Sequence, residues 1–309
     1  MLLFASRRTY DTSKKRFTNN PASLTRYASV SQSAAMGGAL QGALVTQDQW
    51  LSKVQAHGDG RDVLVYVHGF NTSQRDLFAR LGPLRRDLQA KGFGGTVVAY
   101  DWPSDGSVLK YRRDKRDAKA TASHLVTDVL APLRRLSPRP RIHVLAHSMG
   151  CYLTLRAFAA FGDGPSGGWT VDQVLFTAAD ADSQWLEKGA WGALVLGHRA
   201  KRFTNYYNPR DDVLALSRLR YNGGRARAGR AGIPAPRASR HVDVYCQGQY
   251  DRDVSLDGLS DDAKLLASHN WWYGNDGYLT DVALTLAGTD ASAMPTRRPS
   301  TTDDLALLS

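Results

Sequence analysis

The stretch IHVLAHSMGCYLTLRAF, residues 142–158, decides the fold. Residues 142–146 are a short apolar run of the kind that forms a buried strand, and the residues from Met149 onward, with Cys151, Tyr152, Leu153, Leu155 and Phe158, form a helix-prone apolar stretch. Between them stands Ala146-His147-Ser148-Met149-Gly150, the relaxed form of Gly-x-Ser-x-Gly. That pattern forces a serine onto a tight strand-to-helix turn, where small residues two before and two after it avoid clashes of the strained backbone. The strict form occurs once, at Gly164-Pro165-Ser166-Gly167-Gly168. It reads as a false match: no strand leads in, and Pro165 removes an amide just before the serine. Ser148 is therefore the candidate nucleophile.

Outward from this point, strand-like and helix-like segments alternate from about residue 60. Residues 62–67, 96–100, 142–146, 171–178, 202–207 and 242–245 read as strands. Helices are expected from Ser73-Asp76, a capping box, through Leu88, and over 113–136, 149–161 and 182–196. This alternation predicts an α/β fold with a mostly parallel central sheet and helices on both faces. Residues 1–60 are expected to supply edge strands and connectors, 1–287 a single catalytic domain, and the Thr/Ser/Pro/Asp-rich segment 288–309 a flexible tail.

With 309 residues, 42% hydrophobic and 22% charged, the chain is too apolar to be disordered. Its net charge of +11, with 30 Arg among 40 cations, suits an anionic partner such as nucleic acid, an anionic lipid surface or an acidic substrate. No nucleic-acid partner is expected; peripheral membrane contact stays open. Cys151 and Cys246 are too few for a disulfide framework and have no zinc-site spacing. The N-terminal apolar run is too short for a signal-peptide core, and no run approaches the roughly 20 residues that span a bilayer, so the expected location is the cytoplasm. No Gly-x-Gly-x-x-Gly follows the early strands, which argues against a dinucleotide. Residues 218–240 carry seven Arg and no acidic residue. Such a run reads first as a solvated surface loop and second as a basic rim that draws anionic groups toward the site.

A serine nucleophile needs company. In this architecture the oxyanion donors are the amide after the nucleophile and one that follows an earlier strand, here Met149 and Phe70, with Gly69 letting the backbone turn back. The acid and base should follow in the order Ser, Asp or Glu, His. Asp211 lies just past a late strand. Asp212 is the runner-up, Asp180 a third choice, and the Asp211-Asp212 pair has an alternative reading as a helix N-cap. Only His241 and His269 come after Asp211. His241 opens a strand at the end away from the expected site, whereas His269 is placed in a loop beyond the last strand, from which it could reach back as the base.

The order and spacing of Val67-His68-Gly69-Phe70-Asn71, Asp101-Trp102-Pro103-Ser104, Tyr111, Asp114, Ala146-His147-Ser148-Met149-Gly150 and Ala179-Asp180-Ala181-Asp182 resemble the α/β-hydrolase superfamily, and within it the bacterial family of uncharacterised hydrolases called DUF900. The resemblance implies serine hydrolase chemistry with Ser148, Asp211 and His269 as nucleophile, acid and base. It leaves the substrate open.

The leading expectation is hydrolysis of a small-molecule or lipid carboxylic ester through an acyl-enzyme, without metal or organic cofactor. Trp102, Trp185, Trp191, Trp271 and Trp272 could line an apolar acyl pocket, with residues 183–198 as a cap helix, although each tryptophan could equally be core. The alternatives are a phospholipase or acyl thioesterase working on an anionic substrate, suggested by the Arg-rich segment, and a non-catalytic binding protein on a hydrolase scaffold.

Overall fold

The computed structural model describes residues 1–37, 40, 43–105, 110–162, 168–300 and 304–308. The chain divides into two compact units, Met1–Arg86 with Gly94–Phe161, and Asp87–Phe93 with Gly162–Ser309.

The first unit is built on β1 (Leu2–Asp11), β2 (Arg16–Val30), β3 (Leu44–Val45), β4 (Asp62–Val67), β5 (Thr96–Asp101) and β6 (Arg141–His147), in the spatial order β6-β4-β5-β1-β2-β3. β6, β4, β5 and β1 run parallel; β2 and β3 continue antiparallel at the edge. Parallel strands are covered on both faces, which is why DVLVYV and TVVAYD are buried at every position. Register brings the chemistry to one edge. Val67 pairs with Tyr100 and with Ala146, so His68, Asp101 and the His147-Ser148 turn all emerge at the same C-terminal end. Ser6 pairs with Asp101 there.

The helix Gln74–Ala90 starts where expected: the Ser73 amide donates to Asp76 Oδ2 at 3.0 Å, and the Asp76 amide donates to Ser73 Oγ at 3.2 Å. The long amphipathic segment begins at Tyr111, two residues earlier than read from sequence. It changes to a wider π-helical turn over Leu125–Leu130 and closes with Ala131–Leu133.

In the second unit β7 (Val171–Thr177), β8 (Ala200–Tyr207) and β9 (His241–Tyr245) are parallel neighbours. The expected helix 182–196 is two pieces, a 3₁₀ turn Ser183–Leu186 capped by Asp182 and the helix Trp191–Arg199. Gly189, at φ 87°, turns the chain between them in a conformation that a side chain would resist. The segment expected as a flexible tail instead adds β10 (Arg297–Pro299) and β11 (Leu305–Leu307), with β11 parallel to β9. The physical reason is a buried anchor: Arg297 donates to Asp281 Oδ1 at 2.6 Å and to Tyr206 Oη at 3.2 Å, and Leu307 is fully buried. Among the described residues no helix is long and apolar enough to cross a membrane.

Candidate active site

In the first unit Ser148 holds φ 55° and ψ −122°, in the half of the map that L-residues avoid. Such strain, on the order of 1–3 kcal/mol, persists only where the surroundings enforce it. Here they do. A Cβ on Gly150 would lie 2.5 Å from the carbonyl oxygens of both Val67 and His68, so the helix Met149–Ala159 can press against the end of β4 only with glycine at that position. A Cβ on Gly69 would lie 2.8 Å from that of Ser148, so the loop after β4 passes directly against the stem of the Ser148 side chain. Ala146, where the strict motif has glycine, is fully buried and accommodated.

The Ser148 side chain does not cap the helix that it starts; the Cys151 amide donates to the Ser148 carbonyl at 3.0 Å, and the Met149 amide, at the positive end of the helix, has no hydrogen bond among the described residues. Phe70 lies in the adjoining loop, its ring packed edge-on against Tyr111 at 5.4 Å. No hydrogen bond from the Phe70 amide to another group occurs among the described residues.

In the second unit the carboxylate of Asp211 does two jobs. Oδ1 accepts the Leu214 amide at 2.9 Å, capping the helix Asp212–Tyr221, and Oδ2 accepts from His269 Nδ1 at 2.7 Å. Helix cap and histidine partner are one group using its two oxygens. The second bond fixes the tautomer: Nδ1 carries the hydrogen, leaving Nε2 as a proton acceptor. Burial pushes the Asp211 carboxyl above its ordinary range, opposed by His269, the Leu214 amide and Arg230. His269 itself stands in the last turn of the helix Asp261–Asn270, not in a loop. Ser260 caps that helix by accepting the Ala263 amide.

The other candidates are occupied elsewhere. Asp212 faces solvent, 3.5 Å from Arg230 Nη1. Asp180 accepts from Ser217 Oγ at 2.8 Å. His241 packs on Phe203 with neither ring nitrogen hydrogen-bonded, and burial pulls its pKa down to about 4. Ser166 lies outside the described residues.

The tryptophans separate by burial. Trp102 is fully enclosed, stacked on His68 at 5.1 Å and donating from Nε1 to the His68 carbonyl at 2.8 Å. Trp271 and Trp272 pack with their rings tilted at 33° and centroids 4.2 Å apart; Trp271 also lines a shallow groove with Val254, Leu259, Ala263 and Leu266. Trp185 and Trp191 are half-buried and pack together at 5.2 Å.

The Arg-rich segment is not a uniformly solvated loop. Arg227 is 2% exposed and lies 3.7 Å from Asp180 and 3.6 Å from Asp182, and Arg230 donates to the Asp211 carbonyl at 2.7 Å. Two arginines of this segment therefore brace the loops that carry Asp180 and Asp211, while Arg225 remains largely exposed. Sequence reasoning also left Arg8, Ser104 and Asp114 without a role, and all three are buried beside the loop after β4. Among the described residues no group of three metal-ligating side chains occurs.

The solved structures similar to this chain include that of TT1662 from Thermus thermophilus, with 17% identity and a TM-score of 0.37 over 61% of this chain and 80% of that one. Another is a cutinase-like protein from Cryptococcus sp., with 16% identity and a TM-score of 0.40 over 76% of this chain and all of that one. An uncharacterized protein of Nostoc sp. is 39% identical over 56 residues, which are 18% of this chain and 14% of that relative's length. Residues 45–241, more than half of the chain, match the family described as alpha/beta hydrolase of unknown function, DUF900. The mostly parallel sheets, the strained Ser148 turn and this match lead to one conclusion: the chain belongs to the DUF900 family and has the α/β-hydrolase fold.

Proposed function

We propose that this hydrolase-family chain cleaves carboxylic esters with Ser148 as nucleophile, His269 as general base and Asp211 as the acid that orients it. The observation that carries the reading is the Ser148 backbone, held in a strained conformation at the junction of β6 and its helix. A serine there has no structural need to be strained; a nucleophile presented for attack does. The assignment of base and acid rests on the chain order Ser, Asp, His and on the hydrogen bond between His269 and Asp211.

In the proposed cycle His269 Nε2 takes the Ser148 hydroxyl proton as Oγ attacks the ester carbonyl. The amides of Phe70 and Met149 hold the oxyanion, and the tetrahedral intermediate collapses as the alkoxide leaves with the proton from His269. Water, deprotonated by His269, then attacks the acyl-serine, and the second tetrahedral intermediate collapses as Ser148 Oγ leaves and takes the proton back from His269, releasing the acid. Asp211 stabilises the imidazolium in both halves. No step calls on a metal or organic cofactor. A panel of p-nitrophenyl esters of rising chain length, run beside an acyl-CoA and a phospholipid, tests the substrate class. Turnover of esters that is lost in Ser148→Ala supports the reading, and no turnover of any acyl substrate counts against it.

A further inference from the structure

The peptide groups of residues 69–72, which include the proposed oxyanion donor Phe70, take part in no backbone–backbone hydrogen bond among the described residues. Side chains hold this loop in their place. The His68 carbonyl accepts from Trp102 Nε1 at 2.8 Å, and the Gly69 carbonyl lies 2.9 Å from His68 Nδ1. Thr72 is gripped at both ends: its amide donates to Ser104 Oγ at 3.2 Å, and its carbonyl accepts from Arg8 Nη2 at 2.9 Å.

These gripping groups are themselves fixed. Ser104 Oγ donates to Asp114 Oδ2 at 2.6 Å, and the Ser104 carbonyl accepts from Arg8 Nη1 at 2.9 Å. Arg8 Nε donates to Asp101 Oδ1 at 2.7 Å, and Asp101 Oδ2 accepts from Ser6 Oγ at 2.8 Å and Gln74 Nε2 at 3.0 Å. Arg8, Asp101, Ser104 and Asp114 are each 1% exposed or less. Burying two carboxylates and a guanidinium is costly unless geometry repays it, and a hydrophobic brace would serve stability as well or better. What a polar brace offers is direction, because hydrogen bonds fix an amide's orientation where apolar contact does not.

We infer that Ser104 and Asp114, backed by the Arg8–Asp101 pair, are positioning residues that aim the Phe70 amide at the oxyanion. The inference deepens the proposed function and rests on it. A donor aimed by this brace acts where charge develops, so loosening the brace lowers kcat and leaves ground-state binding alone.

The test uses Ser104→Ala, with Asp114→Asn as a second variant that keeps the side-chain volume. Complete loss of one oxyanion donor lowers kcat by about 10²–10³-fold, so a misaimed donor should lower it about 10-fold with KM within about 2-fold of the parent. A trifluoromethyl ketone, whose adduct with serine carries the oxyanion, should lose affinity by the same factor as kcat/KM falls. The inference is overturned if both folded variants keep parental kcat, if the loss falls on KM, or if inhibitor affinity stays at the parental value while kcat drops. Ester turnover that survives Ser148→Ala would instead remove the proposed nucleophile, and that failure shows in a variant in which the brace is untouched.

Discussion

Asp211 and His269, 58 residues apart in sequence, meet through a 2.7 Å hydrogen bond between Oδ2 and Nδ1, while the other oxygen of Asp211 holds the Leu214 amide at 2.9 Å. The helix cap pins the carboxylate, and the carboxylate then pins the imidazole. An orienting acid needs this property, since a ring free to rotate or to switch tautomer would present Nε2 to the proton only part of the time. Arg230 adds a third restraint through the Asp211 carbonyl.

It follows that Asp211→Asn should remain folded, since asparagine is also a good N-cap, yet lose about 10³–10⁴-fold in kcat through the wrong tautomer and an unpartnered imidazolium. Asp212→Asn, which alters an exposed carboxylate lying 3.5 Å from Arg230, should change kcat less than about 3-fold. Steady-state kinetics on one ester rank the two, and the reverse ranking would transfer the acid's role to Asp212.

The buried cation of the Arg-rich segment makes a separate prediction about stability. Arg227→Met would leave Asp180 and Asp182 enclosed without their guanidinium, and breaking such a set should cost about 3 kcal/mol in urea unfolding. Arg225→Gln, at an exposed site 3.8 Å from Asp182, should cost no more than about 0.5 kcal/mol. Equal costs would mean that Arg227 is not acting as a buried counter-ion.

His241 should make the protein sensitive to acid. Its pKa is held down to about 4 by burial, while an unfolded histidine titrates near 6.5. Below about pH 6.5 the unfolded chain takes up a proton that the folded chain refuses, so stability should fall as pH drops from about 6.5 to about 4, by up to about 3 kcal/mol. His241→Leu, which also removes two ring nitrogens without hydrogen bonds, should flatten that part of the profile. Parallel profiles for the parent and His241→Leu between pH 4 and 7 would refute the assignment.

The sequence made some of this legible and hid the rest for physical reasons. The strands read from sequence at 62–67, 96–100 and 142–146 announce themselves because parallel strands are buried on both faces and read as short, mainly apolar runs; the structure extends the last two to 96–101 and 141–147. The elbow is readable because its steric demand falls on residues two apart. Arg227 was obscured because its partners Asp180 and Asp182 lie some 45 residues away, beyond any local window, and a run of arginines otherwise signals solvent. The strands near the C-terminus are three residues long, too short to show a period, and are held by Arg297 and Asp281. His269 reads as a loop residue because Ser268 and Asn270 beside it disfavour helix interiors, and the Ser260 cap nine residues upstream makes the segment helical. The brace behind Phe70 joins β1, β5 and the helix from Tyr111, so no single stretch of sequence displays it.

The most direct test of the central claim is reaction with a fluorophosphonate probe, followed by mass spectrometry of the labelled peptide and by ester turnover of the parent and Ser148→Ala. The account predicts a single adduct on Ser148, no adduct in Ser148→Ala, and a loss of turnover of at least about 10³-fold in that variant, because only oxyanion and binding effects survive without the nucleophile. An adduct on Ser166 or any other serine, or turnover that persists in Ser148→Ala, would contradict it.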